Sequence, residues 1–455
     1  LVGSEMCIRD SPGTPTPTPT IETPPWLGKR RFPGATLTVK QFNWKPMDVY
    51  KLLIPSFEKA TGARVNYDSA ASWDDLESDV LRDLTSGAGK YDCFVTNHLA
   101  VPRIARYIFP VTEWVKRDWD EIGMDDIEPL KMGLLQYDPQ AMKGGKGDWI
   151  GLPFLVHGNF YIYRKDLAEA KGLKPPTTIS EFEEFLKALH NPPNMYALTQ
   201  RGKSGHHILA DATFMIHPFG GRFLGPVPQN HPLYYYYYAS PTEDLRPTIR
   251  AEETMRGVKF FVRLLKTYCP PGVEEADDSN VTQNLKQGSA ASTWGENWQM
   301  LLWDPKEYLG PDTKWGFTPP LTENCDFCQG AVACPNCISV HSKNKELAWE
   351  WIKWTSSKEA QRIIIPAGGE PLRLSTLKDS DLVKMQPWLP ALEKSLKSPI
   401  HSALFPDYPR FEEIMGSALH EALIGKKTVE EALDWAHVEV DKLMREAGYY
   451  KYPAP

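Results

Sequence analysis

The sequence predicts an α/β protein built from more than one domain. Strand and helix patterns alternate as β-α-β-α-β between residues 36 and 97, and a second strand-then-helix run begins near residue 149. A chain of 455 residues suits roughly two to four domains.

The elements follow in order. TLTVKQF (36–42) alternates as a strand does. MDVYKLLIPSFEKATG (47–62) sets Val49, Leu52, Leu53, Phe57 and Ala60 at helical spacing; Pro55 is expected to bend it and Gly62 to end it. ARVNYDS (63–69) reads as a strand, DDLESDVLRDLTSGAG (74–89) as a helix closed by glycines, and YDCFVTN (91–97) as the third strand. Residues 149–172 read as strand then helix. In 175–190, Ser180 and Glu183 form a predicted capping box before Phe182, Phe185, Leu186 and Leu189. Residues 252–268, 346–365, 410–425 and 426–448 read as helices, the last with a capping box from Thr428 to Glu431. Residues 288–303 read as strand, tight turn and helix. Leu347, Trp351 and Trp354 share one helix face and are expected in the core.

Composition narrows the function. Net charge is −7 and the longest basic block is GKRRF (28–32), which disfavours nucleic-acid binding. No stretch reaches the ~18 uninterrupted apolar residues of a membrane span. The chain holds 15 Trp, 19 Tyr and 18 Phe. A tryptophan is costly to bury unless its N–H finds a partner, so part of this set is expected on a recognition surface and the rest in cores. No G-x-S-x-G, H-E-x-x-H, P-loop or G-x-G-x-x-G occurs in a supporting context. The acidic pairs Glu252/Glu253, Glu274/Glu275 and Asp277/Asp278 read as solvated faces or loop.

The N-terminal stretch stands apart. EMCIRDS (5–11) resembles the translation of a sequencing-library transposon end, so residues 1 to 11 are set aside, Cys7 with them. GTPTPTPTPTIETPP (13–25) favours an extended, stiff linker. Residues 1–33 are thus expected to be artefactual N-terminus plus linker. Such linkers separate a membrane anchor from a secreted domain, so a signal peptide or lipid-modified cysteine is expected upstream.

Several strings together carry a family look: LLIPSFEKATGARV, YDCFVTN, GLPFLVHGNFYIYRKDLAEAKGLKPPTTISEFEEFLKAL, PFGGRFL, LKQGSAASTWGENW, ISVHSKNKELAWEWIKW, GGEPLRLS and GKKTVEEALDWA. They resemble, in order and over about residues 34–450, the extracellular solute-binding proteins of carbohydrate ABC importers, the maltose-binding class. The resemblance implies the type II periplasmic-binding-protein fold, with two α/β lobes, hinge crossovers and a ligand cleft between them. It puts crossovers near Phe154–Gly158, in 315–322 and near 355–360. The lobes are then 34–154 with 320–356, and 155–319 with 357–455. It further implies a monomer outside the cytoplasm, lipid-anchored, without cofactor or catalysis, that hands a carbohydrate to membrane permease subunits.

A sugar presents hydroxyls at its rim and C–H faces above and below, so its site needs flat aromatic platforms with polar groups at the edge. Loops at the carboxyl ends of strands are where α/β sheets place ligands. Asn43 and Trp44 end the first strand; Asn97 and His98 end the third. Trp73 opens a helix. Trp294, Glu296, Asn297 and Trp298 sit at a strand-to-helix turn, and His157 at the first crossover. The resemblance makes His157 a polar ligand contact and Trp298 the stacking tryptophan, foremost of the set. GKSGHH (202–207) and GGEPLR (368–373) are further candidates, with Arg373 able to fork onto ligand oxygens. Core packing competes for each tryptophan, and backbone capping for Asn97 and His157. The run YYYYY (234–238) reads as a surface loop.

Cys325, Cys328, Cys334 and Cys337 form two C-x-x-C pairs whose intervening residues suit a short hairpin. In an oxidising compartment disulfides are favoured, with a structural metal and free thiols as alternatives. Cys93 and Cys269 are expected unpaired in cores. Two other functions compete with sugar capture: the same fold holding another solute such as a polyamine, and a secreted carbohydrate-active enzyme, which needs paired carboxylates across the sugar.

Overall fold

The computed structural model of the chain describes residues 22–97, 100–127, 135–138, 143–144, 147–225, 246–296, 298–301, 314–319, 321, 331–396 and 405–449. His98, Asn297, Cys325, Cys328, the tyrosine run and residues 1–21 lie outside the described residues, as does the side chain of Trp298.

The main strands are β1 (Thr36–Phe42), β2 (Arg64–Ala70), β3 (Cys93–Val95), β4 (Leu152–Arg164), β5 (Ser292–Glu296), β6 (Trp315–Thr318) and β7 (Ala331–Ile338). They run in the order β5-β4-β7-β3-β1-β2, with β6 also paired to β4. β1 pairs in parallel with β2 and β3, as the β-α-β-α-β pattern predicts. β7 returns antiparallel between β3 and β4.

One strand organises the molecule. The first half of β4, Leu152 to Gly158, pairs with β7; the second half, Asn159 to Arg164, pairs with β5 and β6. A single 13-residue strand therefore links β7 to β5 and β6. Its near-continuous burial, with only His157 and Arg164 partly exposed, explains why it reads as an unbroken apolar run. Ser356 meets it from the side: the Ser356 hydroxyl donates to the Pro153 carbonyl at 3.3 Å.

The main helices are α1 (Trp73–Ser86), α2 (Ile179–Leu189), α3 (His206–Ile216), α4 (Lys345–Thr355), α5 (Lys358–Ile364), α6 (Leu389–Leu396), α7 (Tyr408–Leu423) and α8 (Val429–Glu446). In α1 the Ser72 side chain accepts the Asp75 N–H at 3.1 Å, Leu76, Val80 and Leu84 line the buried face, and Gly87 at φ 70° ends the helix. α4 buries Trp349, Trp351 and Trp354 completely. Two of these indoles have donors placed: Trp349 to Asp118 at 2.7 Å and Trp354 to the Leu53 carbonyl at 3.2 Å.

Five expectations change. Pro55 does more than bend its helix: residues Val49–Leu53 tighten into a 3₁₀ turn and an α-helix restarts at Ile54, because proline cannot donate to the preceding turn. The capping box of α2 is Thr178 with Glu181, not Ser180 with Glu183. The helix predicted over 346–365 breaks at Ser356–Ser357, where Ser357 caps α5 by accepting the Ala360 N–H at 3.1 Å. Cys334 and Cys337 lie buried on β7, not in a hairpin. Three residues of extended chain span about 10 Å, too far for these two to be joined directly. Cys93, Cys269 and Cys337 are free thiols, the first two as expected.

The fifth change concerns the lead-in. From Trp26 it is part of the fold rather than a linker. The Trp26 ring is buried under the Lys353 ammonium, 4.5 Å from its centroid. Arg30 pairs with Glu350 at 2.5 Å, and Lys29 with Glu121 at 3.3 Å. Lys353, itself 1% exposed, is held by Asp118 at 3.2 Å and Glu121 at 2.8 Å. The apolar Trp-Leu of this segment was masked in the sequence by its Thr-Pro neighbours.

Candidate functional site

The carboxyl end of β1, the middle of β4 and the end of β5 come close together, since Trp44 meets His157 and His157 interacts with Glu296; the space beside them is the candidate groove. Its first wall is aromatic. Phe42 and Trp44 stack with centroids 5.6 Å apart and planes within 8°. Trp73 stands edge-on to Phe42 at 5.0 Å and 90°. Both tryptophans are half-buried, so each keeps ring surface open. The Trp73 indole donates to Glu77 at 2.9 Å, and Glu77 meets Arg103 at 3.5 Å. Burial pushes the Glu77 carboxyl up, Trp73 and Arg103 pull it down, and Asp74 and Glu412 push it up again.

The floor is His157. Its ring meets Trp44 edge-on at 6.1 Å, and its Nε2 lies 3.0 Å from Glu370, which is completely buried. Burial pulls the imidazolium down, but Glu370 outweighs it and holds His157 above the ordinary histidine value; Glu296 adds to this and Arg201 subtracts. The folded value thus exceeds the unfolded one. The pair contributes stability in full below about pH 6.5 and loses it as pH rises through the raised value. The unfolding temperature of wild type minus that of His157→Gln is expected to be largest near pH 5 and to shrink toward pH 9. A difference that stays flat across that range contradicts the ion pair.

The second wall is polar. Arg201, 4% exposed, donates through Nε to Asp211 at 2.8 Å and through a terminal nitrogen to Asp278 at 3.0 Å, with Glu296 at 3.8 Å. Gln200 ties this cluster to β5, accepting from the Trp294 N–H at 2.9 Å and donating to the Trp294 carbonyl at 2.9 Å. Nearby, the exposed His206 meets Glu412 of α7 at 2.6 Å, and this carboxylate holds the His206 value above the ordinary one.

The predicted residues separate into groups. Trp44, Trp73, His157 and Glu296 come together around this groove. Asn97 is half-buried at the end of β3, its carbonyl accepting the Ala100 N–H at 2.9 Å. Asn43 is exposed, and its N–H ends the β1–β2 ladder on the Ala70 carbonyl. Trp298 opens the short helix Trp298–Leu301 just after β5.

Two positions go elsewhere. Trp294 is turned inward, 2% exposed, against Tyr161 and Phe182. On a strand the side chains two residues apart share a face, and here that face leads from Glu296 at the groove into the core. Arg373, 3% exposed, spends its guanidinium on the protein: Nε donates to the Ser356 carbonyl at 2.6 Å, and the terminal nitrogens to Ile122 at 2.5 Å and Gly123 at 3.2 Å. It ties the α4–α5 junction to the carbonyls of Ile122 and Gly123.

Sequence reasoning missed Phe42, Glu77, Arg201 and Glu370. Glu77 was legible as the i+4 partner of Trp73 on a helix. Arg201 and Glu370 lie in loops whose approach to the groove no local pattern reveals. Among the described residues no cluster of three metal-ligating side chains occurs, and no helix is long and apolar enough to cross a membrane.

Comparison with known proteins bears on the family and the fold. The family model for bacterial extracellular solute-binding proteins matches residues 43–362. A probable amino-acid ABC transporter periplasmic-binding protein of Sinorhizobium fredii is 24% identical over 408 residues, covering 87% of this chain and 86% of its own. A mannitol-binding protein of Pseudomonas aeruginosa is 24% identical over 457 aligned residues, covering 91% and 94%. An ABC transporter solute-binding protein of Agrobacterium radiobacter, solved in complex with ribitol, is 26% identical with a TM-score of 0.75, covering 91% of this chain and 100% of its own.

Proposed function

From the premise that this chain belongs to the bacterial extracellular solute-binding proteins, we propose that its ligand is a neutral sugar or sugar alcohol held between two closing lobes. The fold is the type II periplasmic-binding-protein architecture, and the role is that of the substrate-binding component of a carbohydrate ABC importer, outside the cytoplasm. The family consists of binding proteins, and the reading here is that this chain breaks no bond. It works as a lipid-anchored monomer and delivers its ligand to membrane permease subunits. The lobes are 34–154 with 320–356, and 155–319 with 357–455; the 22–33 segment joins the first.

The observation that carries the ligand class is the groove itself. The Phe42–Trp44 stack and Trp73 offer flat faces for C–H surfaces, while His157 and Glu296 supply donors and acceptors for hydroxyls. Relatives that bind mannitol, and erythritol or L-threitol, support a polyol. An amino acid is the rival, on the name of the Sinorhizobium relative. It needs a cation for its α-carboxylate, and Arg201 already serves Asp211 and Asp278 with Glu296 close by. The polyamine alternative is disfavoured by the same partnering, since the groove's carboxylates already meet Arg103, Arg201, His157 and His206.

A thermal-shift panel of D-mannitol, ribitol, erythritol, D-tagatose, maltose, putrescine and the common amino acids tests this. A ligand at 1,000 times its Kd stabilises by about 4 kcal/mol. At least one sugar or polyol is expected to give a saturable rise. A rise with amino acids or putrescine alone overturns the ligand class.

A further inference from the structure

We propose that Asn159 is the residue that reads a vicinal pair of hydroxyls on the ligand; this rests on the sugar or polyol reading above. Asn159 is 1% exposed, and among the described residues neither its side-chain oxygen nor its nitrogen has a hydrogen-bond partner. A buried amide with both ends unpaired is disfavoured, because it gives up water and gains nothing in return. A ligand that supplies both partners removes that penalty.

Its placement points the same way. Asn159 lies two residues after His157 on β4, so the two share a face, and its partner on β5 is Glu296. His157 and Glu296 both belong to the groove and interact electrostatically with each other. The opposite face of β4 is closed. The Ser395 hydroxyl of α6 donates to the Asn159 carbonyl at 2.5 Å, and a Cβ on Gly158 would run into Leu392 of the same helix. Strand alternation then sets the Asn159 amide on the face that His157 and Glu296 share. An amide offers one acceptor and two donors within a few ångströms, which matches adjacent hydroxyls that each donate and accept. His157 and Glu296 then take the hydroxyls on either side.

The test is calorimetric titration of wild type, Asn159→Ala and Asn159→Leu with D-mannitol and ribitol, beside the unfolding midpoint of each ligand-free protein. Loss of the amide is expected to weaken binding about 10- to 100-fold, as two hydrogen bonds warrant. The ligand-free midpoint of Asn159→Leu is expected to stay or rise, since no side-chain hydrogen bond among the described residues is lost. Affinity within threefold of wild type in both variants overturns the assignment. So does a fall in the ligand-free midpoint with unchanged affinity, which makes the amide structural. Wild type that binds neither polyol, nor any sugar of the panel, sinks the parent reading and the role of Asn159 with it; wild type that binds while the variants match it sinks the role alone.

Discussion

Arg201→Met is expected to lower the unfolding free energy by about 3–5 kcal/mol, because it strands a buried carboxylate. Asp211 is 4% exposed and takes hydrogen bonds from the Arg201 side chain, the Arg201 N–H at 3.0 Å and Gln200 at 3.0 Å. Burial pushes the Asp211 carboxyl up and Arg201 pulls it down. Burial outweighs that pull, so the Asp211 carboxyl stands above the ordinary aspartate value, while the guanidinium keeps its proton throughout. Without Arg201, Asp211 must stay charged in a dry site or take up a proton. The loss is therefore expected to be smaller at low pH, where protonation is easier. Arg201→Met with Asp211→Asn is expected to recover at least half of the loss, since the neutral amide still accepts from Gln200 and the backbone. Urea unfolding of the three proteins checks this. A single variant within about 0.5 kcal/mol of wild type, the range of ordinary surface changes, contradicts the account.

The largest effect on binding is expected from the aromatic wall. Trp44→Ala or Trp73→Ala each removes a ring face, and a side chain of this size contributes about 1.5–3 kcal/mol when buried by its partner. That is roughly 10- to 150-fold in Kd per tryptophan. Trp44→Phe keeps a smaller face on Phe42 and is expected to lose less than Trp44→Ala. Calorimetry with the best sugar or polyol measures all three. Both rings are half-buried at a groove edge, so the ligand-free fold is expected to tolerate the changes. Affinity within threefold of wild type in both alanine variants contradicts an aromatic platform.

Much of the fold was legible because local pattern and tertiary role agree. β1 alternates and pairs as it reads, α1 carries Leu76, Val80 and Leu84 on its inward face, and Thr428 and Glu431 form the capping box their spacing announces. β4 was legible as a strand from its own residues, but only the resemblance marked Phe154–Gly158 as a crossover, because its two stretches look alike and only the partners differ. The lead-in shows the limit of composition. Trp26 packs under Lys353 even though a Thr-Pro run precedes it.

The site divides in the same way. Residues at strand ends, such as Trp44, could be placed because strand direction fixes where a strand end points. Trp294 and Arg373 could not, because facing is decided by one step of strand register or by which carbonyls surround a guanidinium. Asn159 lies two residues from His157 in the sequence and carries no local signal; what marks it is the missing partner among the described residues, which no sequence displays.

The central claim is that two lobes joined through β4 shut over a hydroxyl-rich ligand. Small-angle X-ray scattering of the ligand-free protein, and of the protein saturated with whichever sugar or polyol gives the largest thermal shift, tests it most directly. Closure predicts a smaller radius of gyration and a shorter maximum dimension in the bound state. Identical scattering curves under confirmed saturation contradict it.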